Sequence, residues 1–260
     1  MNFLNAVAGF GVGVAVGMTG VGGGSLMTPI LVLLFGYAPA SAVGTDLWFA
    51  AITKISGGTL HHARGTVDWQ VLARLFAGSV PASILTLLWM NLTRSHATEK
   101  GLIVHALGAV LLVTAIAMLA RKPIQRLATR MNARTATALL RAQTPLTVLA
   151  GALLGFIVPL TSVGAGALGT VMLLYIYPLR MTPRRLVGTD IVHAIPLALI
   201  AGIGHLLMGN VQSLLLLNLL MGSIPGILLG TLIATRSSEL FLRIVIAAIL
   251  LLVSLKLLLS

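Results

Sequence analysis

The sequence predicts an all-α integral membrane protein made of two inverted repeats, each a glycine-broken re-entrant helical hairpin followed by three transmembrane helices. Composition sets the class: hydrophobic residues are 58% of the 260-residue chain and charged ones 8%, and mean hydropathy is +1.05, whereas soluble domains carry about a quarter charged residues. Glycine-rich backbone then interrupts two apolar runs, at Gly20-Val21-Gly22-Gly23-Gly24-Ser25-Leu26-Met27-Thr28-Pro29 and, about 142 positions later, at Ser162-Val163-Gly164-Ala165-Gly166-Ala167-Leu168-Gly169-Thr170. Glycine at this density breaks a helix. A broken backbone at membrane depth is tolerated only where it is buried in protein or lines a cavity, so paired breaks point to a binding site.

In chain order, Phe3 to Met18 and Leu26 to Phe35 flank the first break, and each is shorter than the roughly 20 apolar residues of a full span. They form either one interrupted crossing or a hairpin that enters and returns. Spans follow at Ala40 to Leu60, Val71 to Met90 and Leu102 to Ala120. In the basic connector Arg121 to Arg141, Arg126, Arg130 and Arg134 recur every four residues and would share one helix face, which predicts an interfacial helix on the cytoplasmic side. The second half repeats the order, with Leu146 to Pro159 and Ala167 to Tyr177 around the break, then spans at Leu186 to Leu207, Ser213 to Ala234 and Leu240 to Leu259. The whole is expected to be a single membrane domain: repeat 1 over 1–120, connector over 121–144, repeat 2 over 145–260.

The duplication is visible in residues. Val43-Gly44-Thr45-Asp46 matches Val187-Gly188-Thr189-Asp190, His61 and Gly65 match His205 and Gly209, and Gly78-Ser79-Val80-Pro81 matches Gly222-Ser223-Ile224-Pro225, all at an offset of 144. Positive charge separates the two topologies. If the breaks are hairpins and the connector is inside, thirteen basic residues lie inside and three outside, with Lys54 within a span; if each break is a crossing, the tally is nine against seven. Positive residues gather on the cytoplasmic side, which favours the hairpins. Three crossings per repeat invert the second repeat relative to the first, and both termini then lie outside the cytoplasm.

The net charge of +12 does not indicate nucleic acid, because its largest cluster, in the connector, lacks interleaved aromatics and suits anionic lipid. The chain has no cysteine, which removes disulfides, thiolate metal sites and thiol chemistry. No Lys or Arg precedes the first apolar run and no compact signal-peptide core is present, so no cleavage is expected. Gly20 to Ser25 is not followed by the Gly-Lys-Ser/Thr of a phosphate loop, and His61-His62 lacks the spacing and company of a metal pair. No cofactor, metal or enzymatic activity is expected.

Two hairpin tips meeting near the midplane would aim N–H groups and helix N-termini at one place, a setting that favours an anion. The candidate substrate-binding residues are therefore Gly22, Gly23, Gly24, Ser25 and Thr28 at the first break and Ser162, Gly164, Ala165, Gly166 and Thr170 at the second. The packing alternative is that these small residues only let helices approach. Asp46 and Asp190 are intramembrane carboxylates, which cost roughly 2.5 to 3.5 kcal/mol on insertion scales. They are either a symmetric pair of proton or cation sites or first-turn carboxylates that stabilise their helices. Lys54, two turns after Asp46, joins the substrate-binding candidates. His193, three residues after Asp190 on the same face, joins the proton-coupling candidates. His61 and His205 stand at helix ends, where capping is the commoner role.

The glycine break followed by Pro29, the Gly-Thr pair opening the next helix, and the His61-x-x-x-Gly65-x-Val67-Asp68 turn before Trp69 recur in plan in the second half. This ordered set resembles the TauE/SafE family, the sulfite exporters, over nearly the whole chain. The resemblance implies a plasma-membrane carrier of small, mostly sulfur-containing anions such as sulfite, thiosulfate, sulfoacetate or related organic acids. The chain differs from members that use cysteines, having none, and carries Asp46 and Asp190 where a small or hydroxylated residue is more usual. The expected function is secondary transport of such an anion, coupled to protons or another cation; a passive anion channel and a non-transport scaffold protein are the alternatives. Substrate choice, direction and oligomeric state are not legible.

Overall fold

A computed structural model describes residues 3–19, 24–63, 65–93, 99–128, 133–164, 166, 168–178, 180–234 and 239–259. Among them the regular structure is helical throughout, in ten helices: α1 Phe3–Thr19, α2 Gly24–Leu33, α3 Pro39–Ala63, α4 Trp69–Thr93, α5 Glu99–Ala128, α6 Ala133–Thr161, α7 Leu168–Ile176, α8 Pro183–Leu207, α9 Ser213–Ala234 and α10 Glu239–Leu258. Four stretches are long and apolar enough to cross a membrane, Trp69–Thr93, Ala142–Thr161, Arg184–Leu207 and Ser213–Gly230, and Leu4–Met18, Val104–Ala117 and Ala247–Leu258 are shorter apolar helices. Large side chains such as Leu85, Leu92, Leu149, Leu214 and Leu228 point outward. An apolar exterior around a core holding charged groups suits lipid rather than water.

The helices pair across the two halves of the chain. α1 packs along α9, α6 along α4, α3 along α8 and α5 along α10, so the first helix of each half lies against the fourth of the other. Small residues make the approach. A Cβ at Gly9 or Gly13 of α1 would strike the α9 backbone at Leu219 or Ser223, and one at Gly151 or Gly155 of α6 would strike α4 at Leu75 or Ser79. In return, Gly222 of α9 lies on Ala6, and Gly78 of α4 lies on Val148. The two seams use equivalent positions, and backbone contact of this kind is what small residues provide where water supplies no driving force between helices.

The short helices α2 and α7 bring the chain back. Asn5, near the start of α1, donates through Nδ2 to the Tyr37 hydroxyl at 3.2 Å. The Thr147 and Tyr177 hydroxyls are 2.8 Å apart, and Gln143 Nε2 donates to the Ile176 carbonyl at 3.1 Å. Thirty-two helical residues laid end to end would separate Asn5 from Tyr37 by about 48 Å, so each glycine-broken segment begins and ends in the same place. Between the helices of the second segment, Ser162 (φ 58), Gly164 (φ 121) and Gly166 (φ 132) turn the chain through left-handed conformations, which two glycines permit without strain.

The basic connector differs from expectation. α5 runs eight residues beyond the expected span end at Ala120, to Ala128, and α6 begins at Ala133, so Arg126 and Arg134 fall in different helices and Arg130 lies outside the described residues. Lys and Arg are good helix formers, so the helix persists where the apolar window stops.

Overpacking a seam should cost about 2 kcal/mol. Gly222→Val is expected to lower the thermal unfolding midpoint of the detergent-solubilised protein, whereas Gly11→Ala, which meets open space, leaves it unchanged; differential scanning fluorimetry checks both.

Candidate functional site

The two broken segments meet inside the bundle. Val163 of the second break is buried in the same apolar cluster as Leu26 and Met27 of α2, together with Leu31 and Phe49. α2 opens at Gly24, and the first four N–H groups of a helix have no partner within it. At the second break, Thr161 Oγ1 takes the Val163 N–H at 3.1 Å, and Ser162 N donates to the Val158 carbonyl at 2.8 Å, closing the α6 end. Gly169 N donates to the Gly164 carbonyl at 3.2 Å, tightening the turn into α7.

Each short helix supplies a threonine to the carboxylate of the next helix. Thr28 Oγ1 donates to Asp46 Oδ2 at 2.5 Å, and Thr170 Oγ1 lies 3.1 Å from Asp190 Oδ2 and 2.7 Å from the Gly166 carbonyl. Asp46 is 0% and Asp190 1% exposed, so these carboxylates are solvated by protein alone. In both, Oδ1 has no hydrogen-bond partner. Gly169 makes room for the second carboxylate, since a Cβ there would fall on Asp190 Oδ1. The Asp46 carboxylate also neighbours Ser162, whose buried Oγ closes no hydrogen bond; a hydroxyl from the second break thus faces the carboxylate of the first half.

Lys54 of α3 is buried at 7% exposure and interacts electrostatically with Asp190 across the α3–α8 contact and with Asp46 on its own helix. His193, also buried, senses the Lys54 charge. Its Nε2 is 2.9 Å from Ser79 Oγ on α4 and its ring lies against Phe76, centroids 5.2 Å apart. A hydrogen-bonded Asp190–His193 pair does not form: Asp190 Oδ1 and His193 Nδ1 are both without hydrogen-bond partners.

The helices that carry the carboxylates are pinned by turns from the other half. Thr45 Oγ1 accepts from Gln212 N at 3.1 Å, and Thr189 Oγ1 accepts from Asp68 N at 2.9 Å. Gly44 and Gly188 press on these turns at His205 and Asn210, and at His61 and Thr66. The turns end α3 and α8 with Gly65 at φ 59 and Gly209 at φ 72. In each, the residue after the glycine donates to a histidine carbonyl, Thr66 N to His61 at 3.2 Å and Asn210 N to His205 at 2.8 Å, a glycine C-cap. His61 Nδ1 is 2.8 Å from Thr66 Oγ1 in its own turn, whereas His205 Nε2 is 2.8 Å from the Pro159 carbonyl of α6.

Of the expected site residues, the structure gathers Thr28, Asp46, Lys54, Ser162, Thr170, Asp190 and His193. Gly164 and Gly166 form the second break, Gly24 opens α2, and Ser25 follows it with a side chain that is not described. Gly22, Gly23 and Ala165 lie outside the described residues. Ser79 was not among the expected residues, although its recurrence as Ser223 was visible. Also unexpected is the ion pair between Arg180 and Asp68, 3.1 Å from Nη2 to Oδ2, which ties the α7–α8 turn to the start of α4.

A multi-pass helical membrane protein with ionisable side chains buried where two helix breaks meet is the class that fold and site define. Residues 5–257 match the family model described as sulfite exporter TauE/SafE, and the chain belongs to this family of membrane transporters. It is similar to the probable membrane transporter protein YjnA of Bacillus subtilis (strain 168), 40% identical over 250 residues and 96% of each chain. It is also similar to the probable membrane transporter protein YdhB of that organism, 29% identical over 222 residues and 85% of each. No solved structure matches with comparable significance.

Proposed function

We propose that the protein is a secondary transporter that carries a small sulfur-containing anion, sulfite or an organosulfonate, across the plasma membrane together with protons. The observation that carries this reading is the buried array of Asp46, Lys54 and Asp190 between the two breaks. With both acids ionised the array has net charge −1 and repels an anion. With both protonated, Lys54 remains the one charge of the array and attracts it. Asp46 and Asp190 are the proton sites, with His193 beside them; Lys54, the hydroxyls of Thr28, Ser162 and Thr170, and the backbone of Gly22 to Ser25 and Gly164 to Gly166 are the anion's ligands. The family supplies the substrate class and the array supplies the coupling.

The repeats are inverted in this reading, and each broken segment is a re-entrant hairpin in one membrane domain. The Asp68–Arg180 ion pair and the Thr189–Asp68 hydrogen bond support it. If each break were a crossing, the start of α8 and the start of α4 would lie on opposite membrane surfaces. The connector then faces the cytoplasm, where it meets anionic lipid, and both termini face out.

In proteoliposomes, an inward proton gradient is expected to drive sulfite accumulation by the native chain, and Asp46→Asn is expected to lose it. Flux that ignores the gradient would make the protein a passive channel, and no flux of sulfite or a short organosulfonate would remove the substrate class. Alkaline phosphatase fused at Ser260 is expected to be active in intact bacterial cells; an inactive fusion in well-expressed protein contradicts the inverted arrangement.

A further inference from the structure

His193 breaks the repeat. Its equivalent at the 144 offset is Phe49, while that of Lys54 is Ala198. Each half therefore puts one nitrogen donor into the α3–α8 contact, at a position where the other half is apolar. The Ser79 hydroxyl is the hydrogen-bond partner of the His193 ring among the described residues, so it bears on which ring nitrogen holds the proton. Several helical hydroxyls in this protein donate to the carbonyl one turn back, as Thr86 does to Ala82 at 2.7 Å, Thr114 to Val110 at 2.7 Å and Ser223, the equivalent of Ser79, to Leu220 at 3.2 Å. Among the described residues Ser79 Oγ forms no such bond, and its one hydrogen bond is to His193 Nε2 at 2.9 Å. A hydroxyl hydrogen spent on Nε2 leaves the neutral ring's proton on Nδ1.

His193 Nδ1 is buried without a hydrogen-bond partner among the described residues, and as the N–H of this tautomer it would be a buried donor left unmade, which is costly. Phe76 packs on the ring and Ser79 bonds to it from α4, Lys54 of α3 acts on it electrostatically, and Asp190 stands three residues earlier on α8. Lys54 acts electrostatically on His193, Asp46 and Asp190, and the buried Ser162 hydroxyl neighbours Asp46. An acceptor-rich oxyanion drawn to the Lys54 charge would satisfy His193 Nδ1–H. We propose that His193 is a neutral hydrogen-bond ligand of the transported anion, and that Ser79 is the positioning residue that holds the Nδ1–H tautomer; this rests on the anion-carrier reading above.

The test uses sulfite and the full chain in proteoliposomes in two modes, proton-driven uptake and equilibrium counterflow without a gradient. His193→Phe, the residue that the first half carries, is expected to raise KM about tenfold in both modes with little change in maximal rate. Ser79→Ala is expected to raise it severalfold, and His193→Asn and Ser79→Thr, which keep a donor, are expected to stay near native. Loss of driven uptake with unchanged counterflow would make His193 a proton carrier and overturn the proposal. An unchanged KM in a sulfite-transporting His193→Phe would overturn it alone, whereas no sulfite flux by the native chain would overturn it together with the carrier reading. Nitrogen NMR of labelled histidine in nanodiscs supplies a readout independent of flux and of the folding of His193→Phe: the His193 proton is expected on Nδ1 and redistributed in Ser79→Ala, and a native proton on Nε2 refutes the assignment.

Discussion

Everything in this bundle depends on how three charged side chains are held where no water reaches. Asp46, Lys54 and Asp190 are almost wholly buried, and an isolated charge in such a place is expensive enough that it must be paired, hydrogen bonded or neutralised. The protein meets part of that demand with Thr28 and Thr170, each delivered by a short helix that follows a glycine break. It leaves one oxygen of each carboxylate unmet. The breaks therefore serve the carboxylates: an unbroken crossing would carry Thr28 and Thr170 past the level at which Asp46 and Asp190 sit.

Reciprocity between the halves gives this arrangement its rigidity. The Gly44-Thr45 step of α3 is held by the Asn210 to Gln212 turn, and the Gly188-Thr189 step of α8 by the Thr66 to Asp68 turn. In each case the anchored residue immediately precedes a buried aspartate. Each turn thus contacts the residue beside the carboxylate of the opposite half, and the glycine seams α1–α9 and α4–α6 tie the broken segments to the same framework. The symmetry is broken by chemistry rather than by backbone, through Lys54, His193 and the Asp68–Arg180 ion pair, whose equivalents are Ala198, Phe49 and the uncharged Gln212 and Gly36.

Much of this was legible in the sequence, for identifiable reasons. The 144 offset exposed the duplication because matching turn and cap residues recur with it. The charge tally pointed to hairpins, and the Asn5–Tyr37 and Thr147–Tyr177 contacts support that proposed reading. The cost of Asp46, Lys54 and Asp190 in an apolar span marked them as candidates. What was not legible was partnership. An internal repeat says which residues are equivalent but not whether α1 packs against its own half or the other, so the Ser79–His193 and Thr45–Gln212 contacts were hidden. The extension of α5 to Ala128 was missed because hydropathy ends a span where apolar residues end, while helix propensity continues through Arg121, Lys122 and Arg126.

The claim that the two breaks and the charged array form one anion site is tested most directly by locating an anion. Selenite has the shape and charge of sulfite and scatters anomalously, so crystals grown in it at low pH would mark the site in an anomalous difference map. The account predicts one buried peak within hydrogen-bonding reach of Lys54 and His193, between α2 and the Ser162 to Gly166 turn. Occupancy only at the basic surface, with the centre empty at saturating selenite, would contradict it.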